Sequence, residues 1–164
     1  RDQAVGILCE DECSDPDAAV LPPPLPVVLE GPSPVVRPAA AEDHWGWRMS
    51  MAESIAAQLD PERFGVKGMW VHGSTKNATA GPASDLDLLV HFAGNDTQRR
   101  ELLAWLEGWG RALSEANFRR TGRRAAQLLD VVLVSDRDIA ERKGVAGKIE
   151  AVTDAARPLK LGGR

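Results

Sequence analysis

Two carboxylates, Asp85 and Asp87, stand one residue apart in "HGSTKNATAGPASDLDLLVHF", residues 72–92. An apolar run follows them, with Leu86, Leu88 and Val90 on one face at a period of two. On a strand, side chains two apart point the same way, so Asp85 and Asp87 share the other face. Paired acids there repel each other and lose solvation unless something positive joins them. A divalent cation, or a pair of them, is the natural partner, and hard oxygen ligands suit Mg²⁺. The alternative is a pair of solvated turn acids.

Ahead of the acids lies Gly73-Ser74. Glycine lets a backbone approach a ligand closely and take unusual torsions. The amides and hydroxyls of Ser74 and Thr75 can donate to phosphate oxygens, and a helix starting there would favour the same anion. The chain holds its own comparison, because Asp136-x-Asp138 is a second Asp-x-Asp. That pair precedes "IAERK", a helical stretch, so capping and dipole pairing account for it.

The elements that must position these residues can be read from hydrophobic periodicity. Trp45, Met49, Ala52, Ala56 and Leu59 predict a helix over 42–59, ended by Asp60-Pro61. Met69 to Val71 predict a short strand between glycines, and 85–92 a second strand. Leu102, Leu106, Trp109, Leu113 and Ala116 form a stripe on a long helix from Thr97 to Asn117. "LLDVVLVS", residues 128–135, is a third strand rich in Val and Leu, with Asp130 near its head. "SDRDIAERKG" predicts a capped short helix, "VAGKIEAVTDA" another, and the end a loose tail. The fold class expected is α/β (α+β), a small mixed sheet with helices packed on it.

Residues 1–41 hold eight of the chain's 11 prolines and predict an extended linker, or else a proline-rich ligand for a partner domain. Residues 42–164 are then the folded domain. Cys9 and Cys13 have no second Cys pair or nearby His and are expected to be free thiols, which points to the cytoplasm. Residue 1 is Arg, so the chain is expected to be trimmed, processed or a piece of something longer.

A strand ending in Gly-Ser, ten intervening residues, then Asp-x-Asp opening the next strand resembles the nucleotidyltransferase superfamily, the DNA polymerase β-like fold. The resemblance covers residues 45–136 and is that of a minimal-domain member. It implies that Gly73 and Ser74 contact a triphosphate and that Asp85 and Asp87 bind Mg²⁺. Asp130 would be the third acid, from a later strand, completing a two-metal site. Read from its residue type alone, Asp130 could also be an ordinary acid at a strand end. Many members carry an arginine three residues after the serine; this chain has Asn77 there, and Lys76 beside it can supply the charge. The acids are expected to converge on one cation-sized spot facing the turn at 73–74. "GSTKNATAGPASDLDLLVHF" and "AVTDAARPL" also look like small domains attached to phosphoenolpyruvate-utilising dikinase-type proteins.

The expected activity is Mg²⁺-dependent transfer of a nucleoside monophosphate from an NTP, ATP being the expected one, to a hydroxyl of a protein or small-molecule acceptor. A fused or neighbouring dikinase-type or toxin protein would be a candidate acceptor. The alternative, from another class, is a non-catalytic nucleotide-sensing or interaction module on the same fold. A net charge of -4 argues against nucleic acid as a partner, and no apolar run approaches a membrane span. "RRTGRR", residues 119–124, is expected to be a solvated basic turn, or else to lie beside the site and attract polyphosphate. His72 and His91 are expected to be structural or surface residues. Trp45, Trp70, Trp105 and Trp109 are expected in core stripes.

Overall fold

The computed structural model describes residues 43–163; the proline-rich stretch and both cysteines lie outside them. Helix α1 (His44–Gln58) begins where the Asp43 side chain accepts from the Gly46 amide. A one-turn helix, α2 (Pro61–Phe64), follows, with the Asp60 carboxylate capping the amides of Glu62 and Arg63. Asp60-Pro61 therefore ends one helix and starts the next, because proline's missing donor costs nothing in a first turn.

Strand β1 (Val66–His72) runs into a single helical turn, α3 (Gly73–Lys76). Strand β2 (Leu86–Phe92) comes next, then the long α4 (Asp96–Thr121). Asn95 and Gln98 form a capping box at its start, and Gly122, left-handed at φ 71°, stops it inside "RRTGRR". Strand β3 (Leu129–Val134) leads into α5 (Asp136–Ala140), capped reciprocally by Ser135 and Asp138. A 3₁₀ turn spans Gly144–Lys148.

The last element, β4 (Arg157–Leu159), corrects the expectation of a loose tail. It pairs antiparallel with β1, Met69 opposite Leu159 and Val71 opposite Arg157. Three residues, one of them proline, carry too little periodicity to announce a strand; the β1 edge supplies the order. The second helix expected in "VAGKIEAVTDA" is likewise only the 3₁₀ turn and an irregular segment.

The four-stranded sheet has the order β3-β2-β1-β4. β1 and β2 are antiparallel, while β2 and β3 are parallel and joined through α4. Parallel neighbours need such a crossover, which explains the long helix between them. This is the mixed α/β architecture expected of the nucleotidyltransferase fold.

One sheet face, with Met69, Val71, Leu88 and Val90, packs on α1 and α4 through Ala52, Ile55, Leu102, Leu106 and Leu113. A smaller cluster of Leu89, Val134, Ala146 and Ala156, with Trp70 and Val132 against it, covers part of the other face. Trp105 and Trp109 border the main core, as expected, but Trp45 is 39% exposed. Its predicted place on α1 is taken by Arg48, which is fully buried.

Candidate active site

The strand register sets three side chains in a row. His72 at the end of β1 is opposite Asp87 of β2. Asp87 is opposite Asp130 of β3. Their apolar neighbours Val71, Leu86, Leu88 and Leu129 lie in the main core. Strict alternation therefore puts His72, Asp87 and Asp130 together on the other face. Asp87 is half-buried, whereas Asp85 and Asp130 are exposed.

The charges in this row act on one another. Burial pushes the Asp87 carboxyl above the ordinary carboxylate range; His72 and Lys148 counter this, while Asp130 and Asp85 add to it as like charges. Burial also holds His72 below the usual imidazole range, against the pull of Asp87. At neutral pH His72 is the uncharged neighbour of Asp87.

Gly73 opens α3 at φ 67°, a conformation that side chains resist. A methyl group at this position would also run into the Asp87 carboxylate. The glycine of the turn thus lies beside Asp87. The loop between them is pinned at several points. Thr79 donates its amide to the Ser74 carbonyl at 2.9 Å, and Gly81 donates to the Ser84 hydroxyl at 2.9 Å.

Arg48 completes the support, a role no sequence pattern announced. Its guanidinium donates to the Ser84 carbonyl at 3.0 Å, the His44 carbonyl at 2.7 Å and the Asn117 side-chain oxygen at 3.1 Å. Asn117, itself fully buried, donates to the carbonyls of Pro82 and Arg123. A buried arginine is tolerated only when its donors are satisfied, and here they fix the backbone immediately before Asp85. Asp85 also offsets part of the desolvation of Arg48.

Two predicted phosphate ligands have different surroundings from those expected. Thr75 is fully buried and its hydroxyl has no partner, so the side chain faces the interior and only the backbone amide can serve. Lys76 donates to Asp154 at 2.6 Å, and Lys148 donates to the other oxygen of the same carboxylate at 3.2 Å. These two lysines pull the Asp154 carboxyl down to about 2. Lys148 and Asp154 come from the stretch expected to be a second short helix. Alternating charge within an irregular segment gives no signal that the chain returns to the sheet end.

His91 is engaged elsewhere, 2.9 Å from Asp136, which Lys67 also contacts at 3.0 Å. Its expected structural role holds, and Asp138 serves as the cap expected of the second Asp-x-Asp. His72 is the histidine that belongs to the site.

Of the three acids expected to converge on one cation-sized spot, Asp130 is opposite Asp87 and Asp85 immediately precedes β2. Among the described residues, no group of three or more His, Cys, Asp or Glu is placed to hold a metal ion. The acids gather around Asp87 without closing, as unbridged like charges do. The donor set nevertheless fits Mg²⁺, which is commonly held by one or two carboxylates while waters and substrate phosphates fill its shell.

Among the described residues, no helix is long and apolar enough to cross a membrane. No curated protein and no solved structure matches the chain. Residues 53–119 do match a family model, that of the nucleotidyltransferase domain. The matched stretch runs from the second half of α1 through the Gly-Ser turn, Asp85 and Asp87 into the last turns of α4. The Gly-Ser turn and two of the three acids thus lie in a stretch similar to the nucleotidyltransferase domain, and Asp130 lies beyond it.

Proposed function

We propose that this domain transfers a nucleoside monophosphate from an NTP, with ATP as the first candidate, to a hydroxyl on a protein or small-molecule acceptor and releases pyrophosphate. The observation that carries this reading is the contact of Gly73 with Asp87, with Asp130 opposite Asp87 on the neighbouring strand. Phosphate-binding backbone and metal-binding acids would then serve the same substrate.

The backbone at Gly73-Ser74 holds the triphosphate, with Lys76 supplying positive charge. Asp85, Asp87 and Asp130 would hold Mg²⁺, which when bound offsets the phosphate charge and lowers the pKa of the acceptor hydroxyl. Asp130, exposed at the end of the row, accepts the acceptor's proton as its oxygen attacks the α-phosphorus. The bond from that phosphorus to the bridging oxygen breaks, and pyrophosphate leaves. Positioning and electrostatics supply most of the rate.

Beside Asp130, Leu103, Leu106, Gln127 and Val131 line an open cavity of about 560 Å³. A space of this size suits a small acceptor or a side chain of a protein. Transfer of label from radioactive ATP in the presence of Mg²⁺ tests the proposal. Equal and negligible incorporation by folded wild type and Asp87→Asn overturns it.

The engagement of Lys76 by Asp154 favours a second reading, a nucleotide-binding module without turnover. Calorimetry with Mg²⁺-ATP separates the two: binding without pyrophosphate release supports the module.

A further inference from the structure

Asp154, like Asp136, joins two basic side chains from different elements. The ion pairs within α4 and within α5 join residues four apart on one helix, where both partners remain well solvated. Asp154 instead joins Lys76, on the turn after β1, to Lys148, on the 3₁₀ turn after β3. The Lys76 side chain is only 16% exposed, so its ammonium is held in place rather than sampling solvent. Asp154 itself has φ 54°, a backbone conformation uncommon for a residue with a side chain. One carboxylate, carried on a strained loop, divides its two oxygens between two ammonium groups.

That is the arrangement of an anion site with an anion already in it. The carboxylate is the species standing in for a phosphoryl group. Lys148 also acts electrostatically on Asp87 and His72, so the lysine pair adjoins the acid row. We infer that Lys76 and Lys148 form a two-lysine polyphosphate subsite, and that Asp154 is an internal competitor that the β- and γ-phosphates of an incoming NTP must displace. The identity of the polyphosphate rests on the nucleotidyl-transfer reading; the competition does not.

The physical logic follows from charge. With Asp154 in place, the two lysines and one carboxylate sum to a single positive charge. When the loop carrying residues 149–156 withdraws Asp154, both ammonium groups face the ligand. A triphosphate presents several charged oxygens and outcompetes one carboxylate, while an isolated monoanion gains little over it. The closed pair thus selects polyphosphates against single anions. It also ties ligand entry to movement of the segment that leads into β4.

The test uses the full chain and inorganic tripolyphosphate as the probe, titrated by calorimetry with and without Mg²⁺. Asp154→Asn is a clean variant, because asparagine tolerates positive φ as aspartate does, so charge is removed without new backbone strain. The expected result is tripolyphosphate binding that is several-fold tighter in Asp154→Asn and about tenfold weaker in Lys148→Gln, the size of one lost charge-assisted contact. Lys148→Arg should restore most of the binding. Asp154→Asn binding no tighter than wild type, or Lys148→Gln binding equally well, overturns the inference. Should Lys148→Gln fold poorly, Asp154→Asn decides alone, since Asp154 is exposed. Failure of the two readings can be told apart. Tripolyphosphate competition without transfer of label keeps the subsite and removes the enzyme; transfer of label with a neutral Asp154→Asn does the reverse.

Discussion

Asp87 and Asp130 stand opposite each other across the parallel pairing of β2 and β3. They are 43 positions apart in sequence, with a loop and the whole of α4 between them. Burial raises the proton affinity of Asp87, and the like charge of Asp130 adds to it.

Asp87→Asn should therefore separate stability from activity. The amide removes the repulsion, so the variant should be as stable as wild type or more stable at pH 7, by about 1 kcal/mol. Nucleotide transfer should fall by on the order of 10³-fold. Urea unfolding read beside the transfer assay checks both. A variant that loses activity only because it unfolds would contradict the assignment.

Gly73→Ala tests the contact between turn and acid. The added methyl meets the Asp87 carboxylate, and the positive φ is strained for alanine. A loss of about 2 kcal/mol in stability is expected, with near-complete loss of transfer as Asp87 is pushed aside. Ala at Gly81, where a methyl would meet nothing, is the control.

Arg48→Ala leaves the Asn117 side chain and the carbonyls of Ser84 and His44 without their buried donor. The expected cost is about 3 kcal/mol. Arg48→Lys should recover little, because a single ammonium cannot reach acceptors arranged for a planar fork. Thermal unfolding of the two variants measures this directly.

The response to acid has a sign set by His72. Its folded pKa lies below the ordinary 6.5 because burial disfavours the charged ring. The unfolded chain therefore takes up the proton first, and stability present above pH 6.5 is lost as pH falls through the folded value. Asp87, raised above 3.8, works the other way: its ionised form is the disfavoured one, so folding gains as pH drops through that folded value toward 3.8. Wild type should lose stability as pH falls below 6.5, and His72→Gln should lose less. Parallel denaturation curves at pH 7.5 and 5.5 decide it.

Much of this was legible in the chain. Alternation in β2, the Val and Leu of β3 and the apolar stripe of α4 dictate strand, helix and strand in order. Those are local signals, carried by side-chain period and by end groups that need partners. Gly73, Ser74, Asp85 and Asp87 were recognisable for the same reason, since their spacing lies within one turn and one strand start. Burial of Arg48 was not legible, because nothing in "HWGWRMS" says that a cation will find acceptors on a loop and a helix distant in sequence. Neither were β4, Lys148 or Asp154, which owe their places to the free edge of β1 and to an ion pair across 78 positions. Sequence determined which residues alternate, cap and turn. Tertiary structure decided which charges meet, because a contact between distant segments depends on the register of strands and the path of loops, and neither is written in any short stretch.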